Sequence, residues 1–532
     1  MARKSALLLG FLLLLALVAK PIWLGREQWH LGQGTDDGVY LASAKAIAAG
    51  QGYRVPSLPG APYAVKYPPL YPAFLSLAWL IRPDFPASAR VGAILQALLL
   101  PILLALLLAV LRRLRFSWTR AFLVAALTVV SLQVVLLSTM LFSELLCMCL
   151  LFGAILAVER CVEIDDADVR GVARWALFAG MLAGLAYLTR NAMLPLLAAA
   201  PVYLWIKKKP RAAVYFLLLA VPMAAGWHIW TFAHGPRGVE ATNGTYLHEY
   251  LSVIAVNGFW SSFINRLAEF SGGIANSIFP GVIAALAGLP LYHIALAAAV
   301  SGCIRIGRRC GWPLYLIFSF LCCLMMLFWW SDGLMRLTVP AWPALLAGAS
   351  EEVAYVASMI RKNMEQSSTW SKKSAAAPRW IFVALAVLTI LRNHSFASSF
   401  LESTLADEHK MRLNDERAYA WIASHKTPDT VVLAWKDTTT FLYTGAVASR
   451  GLFIAATPQS PQTKTFATSF ADLPPEYSRG LLLLLRSDLG NGLTDRDLDP
   501  FKAAGAALPG SKLEFTSPGA FIYSFPIPRT HN

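Results

Sequence analysis

The chain has 532 residues, 57% of them hydrophobic and 14% charged, against about 25% charged in soluble domains. A chain this apolar needs lipid around much of its surface, which excludes an ordinary water-soluble globule. The formal charge of +15 would suggest nucleic acid in a soluble protein. Here the basic residues sit in the loops between apolar stretches, as membrane topology requires, so no nucleic-acid partner is expected.

A helix needs roughly 20 apolar residues to cross a bilayer. About eleven stretches qualify: 5–24, 89–111, 119–137, 138–158, 172–189, 191–206, 211–232, 274–300, 311–330, 334–358 and 379–395. The expected fold is therefore a polytopic α-helical membrane protein. The first run, after Arg3 and Lys4, lacks a clear A-x-A cleavage site and reads as a retained helix. Taking Arg3 and Lys4 as cytoplasmic puts Arg112–Arg120, Lys207–Arg211, Arg305–Arg309 and Arg361–Arg379 inside as well. The acidic loop Glu159–Arg174 dissents, but acidic residues orient spans weakly. The expected location is the plasma (inner) membrane, with the N-terminus cytoplasmic. All seven cysteines lie in or beside apolar segments, where small residues pack helices and an outer disulfide framework is not expected.

Three regions then face outward: 25–88, 233–273 and the tail. The second carries the sequon Asn243-Gly-Thr245. Glu365–Pro378 reads as a polar inner linker. The tail changes character. Helix-like Glu416–His425 is followed by short β-type runs at Thr430–Trp435, Leu481–Arg486, Lys512–Phe515 and Phe521–Phe525. The division expected is a transmembrane domain at 1–396 and a small extracytoplasmic α/β domain at 397–532.

The first outer loop opens Gly34-Thr-Asp36-Asp37-Gly-Val-Tyr40. Thr35 suits a helix cap, and both acids fall in the first turn, near the positive dipole end. The pattern from Tyr40 to Ala49 predicts a short amphipathic helix along the membrane surface, stopped by Gly50-Gln-Gly52. Farther on, Lys66-Tyr67-Pro68-Pro69-Leu70-Tyr71-Pro72 fixes a rigid backbone. Snorkelling would also account for Lys66, and an aromatic belt for Tyr67 and Tyr71.

Charges within spans are costly, so they are functional candidates. Glu144 lies a turn or two below the outer end of the fourth span. Arg190 falls between the fifth and sixth, and Asp332 and Arg336 at the outer start of the tenth. Topology read from the basic loops alone puts these four on the same side as Asp36, Asp37 and Lys66. His228 and His293 read as packed histidines. No metal-ligand spacing of His and Cys is seen, so no cofactor is expected and a divalent metal is not indicated.

This order of motifs resembles the C-type glycosyltransferase fold of protein O-mannosyltransferases and lipid A aminoarabinose transferases, over roughly residues 1–395. The residues that carry the resemblance are Asp36-Asp37-Gly-Val-Tyr40, Lys66-Tyr67-Pro68-Pro69-Leu70-Tyr71-Pro72, Arg90, Gly184-Leu-Ala-Tyr-Leu-Thr-Arg190 and Met335-Arg336-Leu-Thr-Val-Pro340. The resemblance implies a polyprenyl-phosphate-linked sugar donor used on the outer face. It implies Asp36 or Asp37 as catalytic base or acceptor-orienting acid, Glu144 as the second acid and Lys66 as the donor-phosphate lysine. Two positions depart from the pattern. Asp37 stands where many members have Glu, and Leu337 where many have Tyr.

The residue types alone fit the same chemistry. Negative charge builds on a departing lipid phosphate, and Lys66, Arg190 and Arg336 would neutralise it. A carboxylate would take the proton of the acceptor hydroxyl, with Tyr40, Tyr67 and Asp332 lining the substrate site. The function expected is sugar transfer from polyprenyl phosphate to a hydroxyl of a lipid, glycan or protein, among membrane lipids. The alternative is a lipid or sugar transporter or flippase. Against it, the acids gather at one face and the sequence shows no paired halves.

Overall fold

A computed structural model describes residues 2–25, 31, 35–235, 258–278, 291–327, 334–366, 377–456, 473–488 and 494–528. Asp332, the sequon at Asn243, most of the outer loop 233–273, part of the expected span 274–300 and most of the linker 365–378 lie outside these residues. The helices, in chain order, are α1 (Ala2–Gly25), α2 (Thr35–Ala48), α3 (Leu70–Ile81), α4 (Ala87–Arg113), α5 (Trp118–Val129), α6 (Leu132–Thr139), α7 (Glu144–Glu163), α8 (Val169–Thr189), α9 (Leu194–Ile206) and α10 (Pro210–Ala233). They continue with α11 (Phe259–Ile278), α12 (Leu291–Cys310), α13 (Leu314–Leu327), α14 (Leu334–Thr338), α15 (Trp342–Gln366) and α16 (Ala377–His425).

Among the described residues five helices, not eleven, are long and apolar enough to cross a membrane: α1, α4, α7, α8 and α10. The pair α5 and α6, bent by 64°, makes a sixth if read as one span. The expectation counted apolar runs without their interruptions. Ser131 caps α6 through its Oγ, which accepts from Val134 N, and so breaks the run 119–137. The runs at 191–206 and 311–330 form shorter apolar helices. The run at 334–358 is split by a 3-10 turn at Val339–Ala341. The run at 379–395 belongs to α16, a helix of 49 residues. No Gly or Pro falls between Arg379 and His425, so nothing stops that helix where the apolar run ends.

The bundle packs tightly where small residues let backbones approach. A Cβ on Gly180 of α8 would lie 2.2 Å from the Phe216 carbonyl oxygen of α10, so only glycine fits that crossing.

Beyond α16 come β1 (Thr430–Leu433), α17 (Asp437–Thr444), β2 (Val447–Ser449), α18 (Arg450–Ala456), β3 (Arg479–Leu485), α19 (Asp499–Ala507), β4 (Lys512–Ser517) and β5 (Ala520–Pro526). They form one sheet of order β2-β1-β3-β5-β4. The β1–β2 and β1–β3 pairs are parallel, and the β3–β5 and β4–β5 pairs antiparallel. The leucine run is the central strand. Leu482 and Leu484 enter one apolar core and Leu481, Leu483 and Leu485 the other, as period-two alternation dictates for a strand covered on both faces. The short strand β2 was not foreseen.

This α/β unit sits on the loop between α1 and α4. The Ala448 amide donates to the Ser57 carbonyl at 2.8 Å. Lys45 of α2 lies over the rings of Trp79 and Phe441, 5.3 and 5.4 Å from their centroids. Helix α2 therefore does not lie bare on the membrane surface. It is held between α3 and α17, with Leu41, Ala42, Ser43 and Ala44 buried.

Candidate active site

The site forms where four breaks in helical structure meet. Helix α2 begins at Thr35 and places Asp36 in its first turn. Pro68 and Pro69 lead into α3. Met140–Ser143 separate α6 from α7, so Glu144 is the first residue of α7 rather than lying a turn or two inside a span. Arg190 ends α8 in extended backbone, φ −160°. Helix ends leave backbone groups that need partners, and here they gather charged side chains as well.

Arg336, on the short α14, links the acids. Its Nε lies 2.8 Å from Glu144 Oε1, and its Nη2 pairs with Asp36 Oδ2. Arg190 Nη1 meets the same Glu144 oxygen at 2.8 Å and donates to Ser143 Oγ at 3.0 Å. The Tyr67 hydroxyl donates to Asp36 Oδ1 at 2.5 Å. Two arginines and two carboxylates thus share one half-buried network, with the Phe142 ring 4.4 Å from the Arg336 guanidinium. Glu144 is 1% exposed, and its second oxygen, Oε2, meets no hydrogen-bond donor among the described residues. A buried carboxylate oxygen without a donor is rare and calls for an explanation.

Burial would raise the Asp36 pKa. The Arg336 charge, the Tyr67 hydroxyl and Arg190 more than offset that and hold the carboxyl below the usual carboxylate range. Tyr40 is pushed well above the usual phenol range, first by burial and then by the Asp36 charge. Its ring meets those of Tyr67 and Tyr71 edge-on, each at 5.0 Å. Tyr67 and Tyr71 are both buried, so they are not a lipid-facing belt. Lys66 places its ammonium 5.9 Å from the Tyr67 ring centre, on the edge of the cluster. Asp37 is buried and its Oδ1 accepts the Gly38 amide at 2.7 Å. His228 is hydrogen-bonded to the Tyr187 hydroxyl at 2.8 Å, as a packed histidine would be.

Sequence reasoning missed Gln96, which is fully buried on α4. Its Nε2 donates to the carbonyls of Leu137 at 2.9 Å and Phe142 at 2.6 Å, and its Oε1 accepts from Tyr71 at 3.2 Å. Carbonyls freed at the α6–α7 break have no water to turn to, and Gln96 supplies both donors. It thereby fixes the segment that presents Ser143 and Glu144. The available signal was a lone amide in an otherwise apolar span.

The sequence model for the family described as dolichyl-phosphate-mannose-protein mannosyltransferase matches residues 66–230, a stretch that includes Lys66, Glu144 and Arg190. The structure resembles that of ArnT from Cupriavidus metallidurans bound to undecaprenyl phosphate, with TM-score 0.58 and 14% identity over 96% of this chain and 97% of that one. The chain has the C-type glycosyltransferase fold. The apo state of the same ArnT matches at TM-score 0.54 and 13% identity, over 98% of each chain. The C-type fold is also shared with the oligosaccharyltransferase AglB from Archaeoglobus fulgidus, solved with an inhibitory peptide and a dolichol-phosphate. That match has TM-score 0.51 and 14% identity, over 96% of this chain and 74% of that one. No curated protein sequence gives a significant match.

Proposed function

We propose that the protein is an integral-membrane glycosyltransferase. It moves a sugar from a polyprenyl-phosphate donor to an acceptor hydroxyl, on the extracytoplasmic face, where the α/β unit of residues 397–532 covers the site. The observation that carries this reading is the joining of Asp36, Glu144, Arg190 and Arg336, from four separate elements, in one network at the helix ends. The polyprenyl phosphates bound in the ArnT and AglB structures support the donor class.

In this reading the donor phosphate binds Arg336 and Arg190, with Lys66 nearby. Guanidinium forks suit phosphate oxygens, and preorganised cations act strongly where water is sparse. Phosphate would compete with Asp36 for Arg336. Asp36 paired with Arg336 is a weak base. Released from that pair in a buried site, its carboxylate becomes more basic. The acceptor oxygen then attacks the anomeric carbon and its proton passes to Asp36. The anomeric C–O bond breaks, and its electron pair leaves with the phosphate. Glu144 Oε2 would accept a substrate hydroxyl and orient it. Asp37, Tyr40 and Tyr67 would shape the pocket wall. Asp332, close in sequence to Arg336, would join the substrate site.

The test is transfer by the purified full-length protein from a panel of synthetic polyprenyl-phosphate sugars, read as release of polyprenyl phosphate. Asp36→Asn should abolish release while leaving insertion and thermal stability intact. Full activity of that variant would overturn the assignment. Donor binding and translocation without release would favour the transporter reading.

A further inference from the structure

At the other end of α8 and α10 from Arg190 and Trp230 lies a charged cavity of about 230 Å³. Lys208, Lys209 and Arg211 line it, with Asp166, Val172 and Tyr215. Asp166 pairs with Lys209 at 2.5 Å, and Lys209 also donates to the Ile164 carbonyl at 2.6 Å. Three cations thus face one carboxylate that is already engaged.

The cavity lies where a bilayer surface would cross the bundle. Helix α10 has 24 residues and so spans about 36 Å at roughly 1.5 Å per residue. This is close to bilayer thickness. Its far end is tied to the first loop, Trp230 Nε1 donating to the Ala64 carbonyl at 3.0 Å. Away from the cavity the same two helices expose Phe178 and Met181 on α8 and Val214, Leu218 and Val221 on α10. A cationic recess at the end of two lipid-facing helices matches a phospholipid, with phosphate in the recess and acyl chains along the helices.

We infer that this recess is a binding site for one anionic phospholipid headgroup, on the membrane surface opposite the proposed active site. Free inorganic phosphate would satisfy the same cations but not the apolar walls.

The full-length protein in detergent is titrated with phosphatidylglycerol or phosphatidylcholine of identical acyl chains, and bound lipid is counted by native mass spectrometry. The wild type should prefer phosphatidylglycerol. Lys208→Ser with Arg211→Ser should weaken its retention by on the order of thirtyfold, at about 1 kcal/mol per cation removed. The charge-conserving pair Lys208→Arg with Arg211→Lys should retain it. So should Arg115→Ser with Arg308→Ser, which removes two exposed cations elsewhere. Equal retention of both lipids, loss in either control pair, or displacement by inorganic phosphate would each overturn the inference. The readout involves no sugar transfer, so it stands or falls apart from the transferase reading.

Discussion

Arg336 and Asp36 form an ion pair although 300 positions separate them in the chain. Arg336 also meets Glu144, so one guanidinium joins both carboxylates of the network. A carboxyl whose pKa is lowered keeps its charge at neutral pH and loses it only as pH falls through the lowered value. Without Arg336 the largest influence opposing burial is gone, so the carboxyl should protonate at higher pH than in the wild type. Arg336→Gln should therefore move the acidic limb of the kcat/KM profile upward and lower kcat by on the order of 10²–10³-fold. An unmoved limb would show that Asp36 is not the titrating base.

Glu144 meets both arginines through one oxygen, and the other has no hydrogen-bond donor among the described residues. Glu144→Gln keeps the shape but removes the charge that gathers Arg190 and Arg336. Release of polyprenyl phosphate should fall by roughly 10²-fold or more. If Glu144 only held the fold together, the thermal midpoint would fall with activity. The reading here expects activity to fall first.

Gln96 acts on the site without touching it. Gln96→Leu has similar bulk but leaves the Leu137 and Phe142 carbonyls without donors, at about 1–3 kcal/mol each. The thermal midpoint and the release of polyprenyl phosphate should both drop. Crosslinking between cysteines placed at positions 143 and 190 should become less efficient as the segment loosens. Unchanged crosslinking would mean that the break is held by other contacts.

What the sequence revealed about this pocket depended on chemistry rather than on counting spans. Glu144, Arg190 and Arg336 stood out because charge is rare among apolar residues, and Asp36 as one of two acids opening a helix in the first outer loop. The span count failed because hydropathy does not register breaks. Ser131 ends one helix with a single side-chain bond, and the 3-10 turn at Val339–Ala341 divides another run. The leucine run at 481–485 was legible as a strand because five residues are too few to span lipid. Its central place was not, since register depends on partners distant in sequence. Gly38 was similarly silent. Its need for glycine arises only when α17 packs against α2.

That contact makes its own prediction. A Cβ on Gly38 would lie 2.2 Å from Thr438 Oγ1, immediately beside Asp36 and Asp37. Gly38→Ala should push α17 away and cost about 1–3 kcal/mol, with transferase activity falling as α2 shifts. Adding Thr438→Ala removes the nearest clashing atom and should restore part of both losses. Non-restoration in this double variant, measured by thermal midpoint and turnover, would place the strain elsewhere.

The α/β unit contains a buried acid whose cost depends on pH. Asp415 of α16 is raised to about 7, chiefly by burial, with the neighbouring Asp488 adding to the rise against the Ser487 hydrogen bond. Its Oδ2 accepts from Ser487 at 2.6 Å. The unfolded chain releases this proton near pH 4, whereas the folded chain keeps it to about 7. Between those values the unfolded state binds fewer protons, so stability falls as pH rises, and the full cost applies above about 7. Asp415→Asn keeps the shape and the acceptor for Ser487 but cannot ionise. Relative to wild type it should gain little stability near pH 4 and on the order of 2 kcal/mol at pH 8, allowing for relaxation around the charge. Thermal midpoints across that range test this directly. A gain independent of pH would mean that Asp415 is already charged in the folded protein, stabilised by Lys436 and Arg486.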